Sequence, residues 1–315
     1  MLKVQTWFDE GMAQISGQLS RVGRNCMARI LLIGLAGDSG CQVASLGLHE
    51  TLIDILAANE PVYAPTLIDV KNIPDDIDVA LVEGGIRNTH EEEVIKDIRA
   101  KSKIVIAVGA CANNGGIPGL ANLKNGDELM RMIYSNHRGT DAGTIPKHLV
   151  SLKEQHPIKH FVKVDYFIPG CPPEVTDIAN TLVALLNGEE PKYNSTQVCD
   201  DCPRKRLGEY DKKLKRINEE IPADPERCLL EQGFFCMGPA TMGGCGAPCP
   251  QAGNICEGCR GKCLDVDDQG LAMIDAMTGL LTQLKDEFDP NKYSAMLYRF
   301  TYAESIISEL ARRNK

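Results

Sequence analysis

The chain has 315 residues, 43% of them hydrophobic and 24% charged, with 43 acidic against 34 basic side chains and a net charge of −9. That length supports one large buried core or two smaller ones. The acidic balance argues against a general nucleic-acid partner, and no run approaches the roughly 18 apolar residues that a membrane span needs.

In chain order, residues 1–27 form an N-terminal arm. Asp9 and Glu10 interrupt any apolar signal core, so a cytoplasmic location is expected. Trp7, Phe8, Met12, Ile15, Leu19 and Val22 recur at steps of three and four, which predicts an amphipathic helix. It serves as a docking arm for a partner subunit, as a helix packed on its own domain, or as an appendage upstream of a second start at Met27.

Residues 28–188 alternate strand-like and helix-like segments. "ARILLIGLAG" reads as a buried parallel strand and "CQVASLGLHETLIDILAANE" as a helix. "PVYAPTLIDV" and "DVALVEGGI" are strand-like, "HEEEVIKDIRAKS" is a polar-faced helix, and "KIVIAVGACA" is another buried strand. "KVDYFIPGCPP" and the helix "EVTDIANTLVALLNGEE" close the series. This order predicts an α/β fold, a flavodoxin-like doubly wound parallel sheet, whose ligands gather at the carboxyl ends of the strands. Asp38 and Cys41 follow the first strand, Cys111 ends a later one and Cys171 ends the last. Three strands therefore each deliver a thiol to the ligand-binding edge.

Residues 189–315 form a smaller, irregular and helical domain. Apart from the charged run "RKRLGEYDKKLKRINEE", its first part lacks a long periodic element, and nine of the chain's 13 cysteines lie between 199 and 263. So little apolar material predicts dependence on metal. Helices resume with "QGLAMIDAMTGLLTQLKDEF" and "YSAMLYRFTYAESIISELARR".

Zinc is the ordinary reading of a single CxxC pair. Here cysteines abound, no histidine follows His160, and prolines follow Cys202 and Cys249. Iron–sulfur ligation fits that pattern better. The six histidines are scattered. His156 and His160, four apart, suit one helix face but have no third ligand nearby, so a solvated surface suits them. His49 reads as a solvent or interface residue. Glu83 follows a strand end and faces the same edge either as a site residue or as a capping carboxylate.

The ordered motifs "GDSGCQVA", "GACANNGGIPG", "PGCPPE", "CDDCPRKR", "CLLEQGFFCMGPAT", "CGAPCP" and "CEGC" resemble the small, iron–sulfur subunit of nickel–iron hydrogenases. The nearest type is cytoplasmic and methyl-viologen-reducing, associated with heterodisulfide reductase, and the resemblance runs from Arg29 to the end. It implies three 4Fe–4S clusters. The proximal cluster falls to Cys41, Cys111 and Cys171, with Asp38 where the family has cysteine. The distal one falls to Cys199, Cys202, Cys228 and Cys236, and the medial one to Cys245, Cys249, Cys256 and Cys259. Cys26 and Cys263 are left over, although Cys263, four residues past Cys259, is placed to replace a neighbour.

Asp38 ligates iron through oxygen, a harder donor than thiolate, or it caps the helix near Cys41. In the second case three thiolates hold the cluster with water or hydroxide, or an iron is lost; Ser39 is a weaker oxygen donor. The resemblance further implies a large subunit carrying the nickel–iron centre, and a 2Fe–2S adaptor leading to heterodisulfide reductase. The function it implies is relay of electrons from hydrogen oxidation. The alternative is a wiring subunit of a related flavin-based bifurcating reductase that has lost hydrogenase activity.

Overall fold

The structure, a computed structural model, describes residues 27–313 apart from 136–138, 140, 142, 148, 150, 211–213, 216, 218–221, 223 and 285–289. The predicted N-terminal helix and Cys26 lie outside the described residues. The chain divides into two units, one running to Pro191 and joined by Tyr302–Glu304, the other comprising Lys192–Thr301 and the segment from Ser305.

The first unit is built on five parallel strands in the order β2-β1-β3-β4-β5: β1 (Arg29–Gly34), β2 (Glu60–Tyr63), β3 (Ile77–Glu83), β4 (Ser102–Val108) and β5 (Tyr166–Ile168). Successive side chains of a strand point to opposite faces, and here both faces are apolar. Ile30, Val79, Leu81 and Ile106 face one layer, where Leu48, Ile55, Ile178 and Leu182 cover them. Leu31, Ile33, Ala80, Val82 and Val105 face the other, covered by Ile95 and Ile98. Continuous apolar strands rather than alternating ones are therefore what this doubly wound α/β sheet needs.

The covering helices are α1 (Gly40–Leu46), α2 (Glu50–Ala58), α3 (Thr89–Lys101), α4 (Gly109–Asn114), α5 (Gly126–Tyr134) and α6 (Val175–Leu186). Helix α3 starts on a capping box: the Asn88 side chain accepts from the Glu91 N–H, and the Glu91 carboxylate accepts from the Asn88 N–H.

Two predicted elements of the first unit differ. The helix read over 41–60 is broken at Gly47–His49, where His49 has φ of 49°, and it resumes at Glu50. The strand read over 61–70 ends at Tyr63, because the chain turns with the Leu67 and Ile68 amides donating to the Ala64 carbonyl.

Among the described residues before 269, the second unit has only short turns, at Val198–Asp201, Gly238–Ala240 and Pro248–Gln251. Helices α7 (Gln269–Leu284), α8 (Pro290–Leu297) and α9 (Ile306–Arg313) follow. The second tail helix, read over 293–313, is interrupted, with a 3-10 turn at Tyr302–Glu304. Among the described residues no helix is long and apolar enough to cross a membrane.

Candidate metal centres

At the carboxyl edge of the first unit's sheet, β1 leads to Asp38 and Cys41, β4 runs into α4 with Cys111, and β5 runs to Cys171. Tight turns bring these segments together. Gly109 adopts φ of 82°, and a Cβ there would stand 2.3 Å from Cys41 Sγ. Gly116 has φ of 59°, and its Cβ would lie 2.6 Å from Cys111 Sγ. Neither position has room for a side chain beside sulfur, and both need the left-handed backbone that glycine tolerates. The Ala110 N–H donates to the Gly170 carbonyl at 2.8 Å, tying the Cys111 and Cys171 loops to each other.

Electrostatics place the same four residues together. Burial pushes the Cys41 thiol up, and the charges of Glu83, Cys111, Cys171 and Asp38 push it further. Cys111 is pushed up to about 12, first by burial and then by Cys171, Asp38 and Glu83. Cys171 rises from burial with Asp38 and Glu83 beside it. Crowded would-be anions, with Cys41 buried, Cys111 and Cys171 half-buried and Asp38 exposed beside them, are unfavourable alone. An iron–sulfur core that binds them as thiolates supplies the missing positive charge, so these residues fit such a group.

Asp38 also performs the capping role. Its Oδ1 accepts from the Gly40 N–H at 2.9 Å, at the start of α1, while Ser39, the helix's N-cap residue, makes no side-chain cap. The larger cap comes from Glu83 at the end of β3. This carboxylate is 1% exposed and accepts from the Cys41 N–H at 3.1 Å and the Gln42 N–H at 3.3 Å. Sequence reading left Glu83 between two roles; its position at a strand end was the only available signal.

In the second unit, Cys199, Cys202, Cys228 and Cys236 line one cavity of about 220 Å³, with Arg204, Arg206, Tyr210 and Cys256 also on its wall. Cys199 is pushed up to about 12 by burial and by Cys236 and Cys228. Cys236, pushed up to about 11 by burial, is opposed by hydrogen bonds from the Gly238 and Cys256 amides. A cavity walled by five thiols and backed by two guanidinium groups suits an anionic sulfur cluster.

Cys256 is buried; burial and the neighbouring Cys236 and Cys259 raise its thiol. Cys249 lies on the turn Pro248–Gln251, with Cys245 just before it. Cys263 is buried and raised by burial and then by Asp265 and Asp200. Among the described residues no three His, Cys, Asp or Glu side chains stand at single-ion spacing; a cluster puts each donor on a different metal atom and spaces them more widely.

His156 and His160 do not share a helix face. They stack at 5.0 Å around the 3-10 turn Ile158–His160, and His160 Nε2 lies 3.2 Å from Glu304 Oε1. His49 is exposed at the start of α2.

Residues 39–185 match the family model described as NADH ubiquinone oxidoreductase, 20 Kd subunit. The chain is 46% identical to a subunit of the vhu F420-non-reducing hydrogenase of Methanocaldococcus jannaschii, over 90% of this chain and 98% of that protein. It is 36% identical to the iron-sulfur subunit of the F420-non-reducing hydrogenase of Archaeoglobus profundus, over 89% and 97%. Among solved structures it resembles a chain of an NAD+-reducing [NiFe]-hydrogenase in the H2-reduced state, with TM-score 0.51 and 35% identity, over 53% of this chain and 96% of that one.

Proposed function

Because the chain belongs to the iron–sulfur small-subunit family of nickel–iron hydrogenases, we propose that it is the subunit that carries electrons away from a hydrogen-oxidising site on a separate large subunit. Asp38, Cys41, Cys111 and Cys171 hold the proximal cluster, Cys199, Cys202, Cys228 and Cys236 the distal one, and Cys245, Cys249, Cys256 and Cys259 the medial one. Bound 4Fe–4S clusters supply reversible one-electron storage at each site.

The rest is supplied by the chain. Gly109 and Gly116 open space beside two sulfurs, and Glu83 fixes the turn that presents Cys41. Arg204 and Arg206 set positive charge beside the Cys199–Cys236 cavity. The acceptor side is a 2Fe–2S adaptor subunit leading to heterodisulfide reductase, and the complex works in the cytoplasm. No membrane span or nucleic acid enters this reading.

The supporting observation is the gathering of three thiols and two carboxylates from the ends of β1, β3, β4 and β5, close enough for their charges to act on one another. Iron and sulfide quantitation on the complex purified without oxygen tests it. About twelve irons per small subunit are expected; fewer than about eight, or zinc in their place, contradicts the relay.

A further inference from the structure

The segment from Cys199 to Arg204 reads CDDCPR, and its two aspartates do different work. Asp200 folds back on its own turn, where Oδ2 accepts from the Gln197 N–H at 3.0 Å. Asp201 reaches across the chain instead. Its Oδ2 accepts from the Gly244 N–H at 2.5 Å and from the Gly246 N–H at 3.3 Å, the two amides that flank Cys245. Both glycines lie outside any helix or strand, with φ of 101° and 69°. Amides presented by such a turn make a concave donor site for an anion, and here a carboxylate of the same chain fills it.

Beyond Cys202, Arg204 makes a second tie. Its Nε donates at 2.7 Å to the carbonyl of Pro250, the residue after Cys249. Its Nη1 donates to the Arg227 carbonyl, just before Cys228, at 3.0 Å and to the Asp224 carbonyl at 3.3 Å. The Cys228 N–H in turn donates to the Lys205 carbonyl at 2.8 Å, so backbone also fixes the Cys228 loop to this segment. Asp201 and Arg204 are both half-buried, and hydrogen bonds to ionised groups are stronger there than in open water.

In the reading above, on which this inference rests, Cys199, Cys202 and Cys228 serve one cluster while Cys245 and Cys249 serve another. One short segment therefore supplies two ligands of the first set and grips the loops that bear two ligands of the second. The carboxylate holds the Cys245 loop by its N–H groups, and the guanidinium holds the Cys249 turn by a carbonyl.

We propose that Asp201 and Arg204 are positioning residues that clamp the two C-terminal ligand sets at a fixed separation. Residues behind the ligands decide how the ligands are presented. Magnetic interaction between neighbouring clusters falls steeply with their separation, and so does electron exchange, so the clamp sets both.

The test is electron paramagnetic resonance on the intact, fully reduced complex, with iron counted in every preparation. The readout is the interaction between the two C-terminal clusters, seen as splitting of their signals or as faster spin relaxation. Asp201→Ala should lose that interaction, or lose the iron of the cluster on Cys245. Asp201→Asn, which keeps an oxygen acceptor without the charge, should restore what Asp201→Ala loses. Arg204→Lys keeps the charge, but one ammonium cannot span carbonyls that two guanidinium nitrogens hold, so the interaction should weaken. Full iron with an undiminished interaction in Asp201→Ala, or an Asp201→Asn variant as damaged as Asp201→Ala, overturns the inference. So does an unsubstituted complex with both clusters and no interaction between them, and an unchanged interaction in Arg204→Lys overturns it for Arg204. An unsubstituted complex whose C-terminal cysteines hold fewer than two clusters overturns the underlying reading and the inference with it.

Discussion

At the scale of single residues, the two carboxylates at the proximal site divide the work unequally. Glu83 uses both oxygens on backbone amides from the far side of a strand crossover. Removing it strands the Cys41 and Gln42 N–H groups in a buried place, and an unsatisfied buried donor costs about 1–3 kcal/mol. Glu83→Ala should therefore lower the unfolding midpoint in denaturant and disturb the proximal cluster's resonance, whereas Glu83→Gln, which keeps one acceptor, should do less. Equal stability of both variants and the parent would refute the capping role.

Asp38 uses Oδ1 on Gly40 and faces Cys111 and Cys171 electrostatically. Asp38→Ala should shift the proximal signal, and Asp38→Cys should give a conventional all-thiolate spectrum. A spectrum indifferent to both changes would leave Asp38 with its cap alone. That Asp38, Cys41, Cys111 and Cys171 meet at one sheet edge was legible because each follows the end of an apolar run. The bond from Glu83 to Cys41 was not, because its partners lie 42 residues apart and only the folded sheet brings them together.

Among elements, β1, β3, β4 and α3 were legible because local chemistry fixes them: apolar runs long enough for two-sided burial, and an Asn–Glu capping box. The misread elements are those where backbone conformation overrides periodicity. Leu48 and Ile55 continue a helical repeat, but Gly47 closes α1 and the positive φ at His49 re-aims the chain. The final helix fails for a comparable reason, since Tyr302–Glu304 leaves the helical path to pack in the first unit.

The turn entering α4 gives the sharpest element-level prediction. A methyl at Gly109 cannot coexist with Cys41 Sγ at 2.3 Å, and φ of 82° disfavours it independently. On the proposed assignment of clusters, Gly109→Ala should cost the complex about four irons, those of a 4Fe–4S cluster at this edge, while the resonances of clusters proposed at residues 199–259 persist. Retention of full iron would show that the loop has freedom this geometry denies it.

On the scale of the whole molecule, the chain returns to its first unit near the end. A Cβ at Gly115 would meet the Ala303 methyl at 2.4 Å and one at Gly119 would meet it at 3.0 Å, so the turn at 302–304 is seated against the segment that follows Cys111. Charge fastens it: Glu304 pairs with Lys159 and, at 3.2 Å, with His160. Burial raises the Glu304 carboxyl, but the His160 hydrogen bond and the Lys159 charge outweigh it and hold the group below the usual carboxylate range. A carboxyl depressed in the folded state contributes stability above its unfolded value, and that contribution is lost as pH falls through the lower folded one. Glu304→Gln should accordingly weaken hydrogen-exchange protection of residues 109–123 near pH 7. The gap between variant and parent should close as pH drops below about 4.5, read by exchange pulses short enough to precede acid loss of the clusters. A gap that persists undiminished in acid would mean that Glu304 acts through packing and not through its charge, leaving the seat of Ala303 to hold the return of the chain by itself.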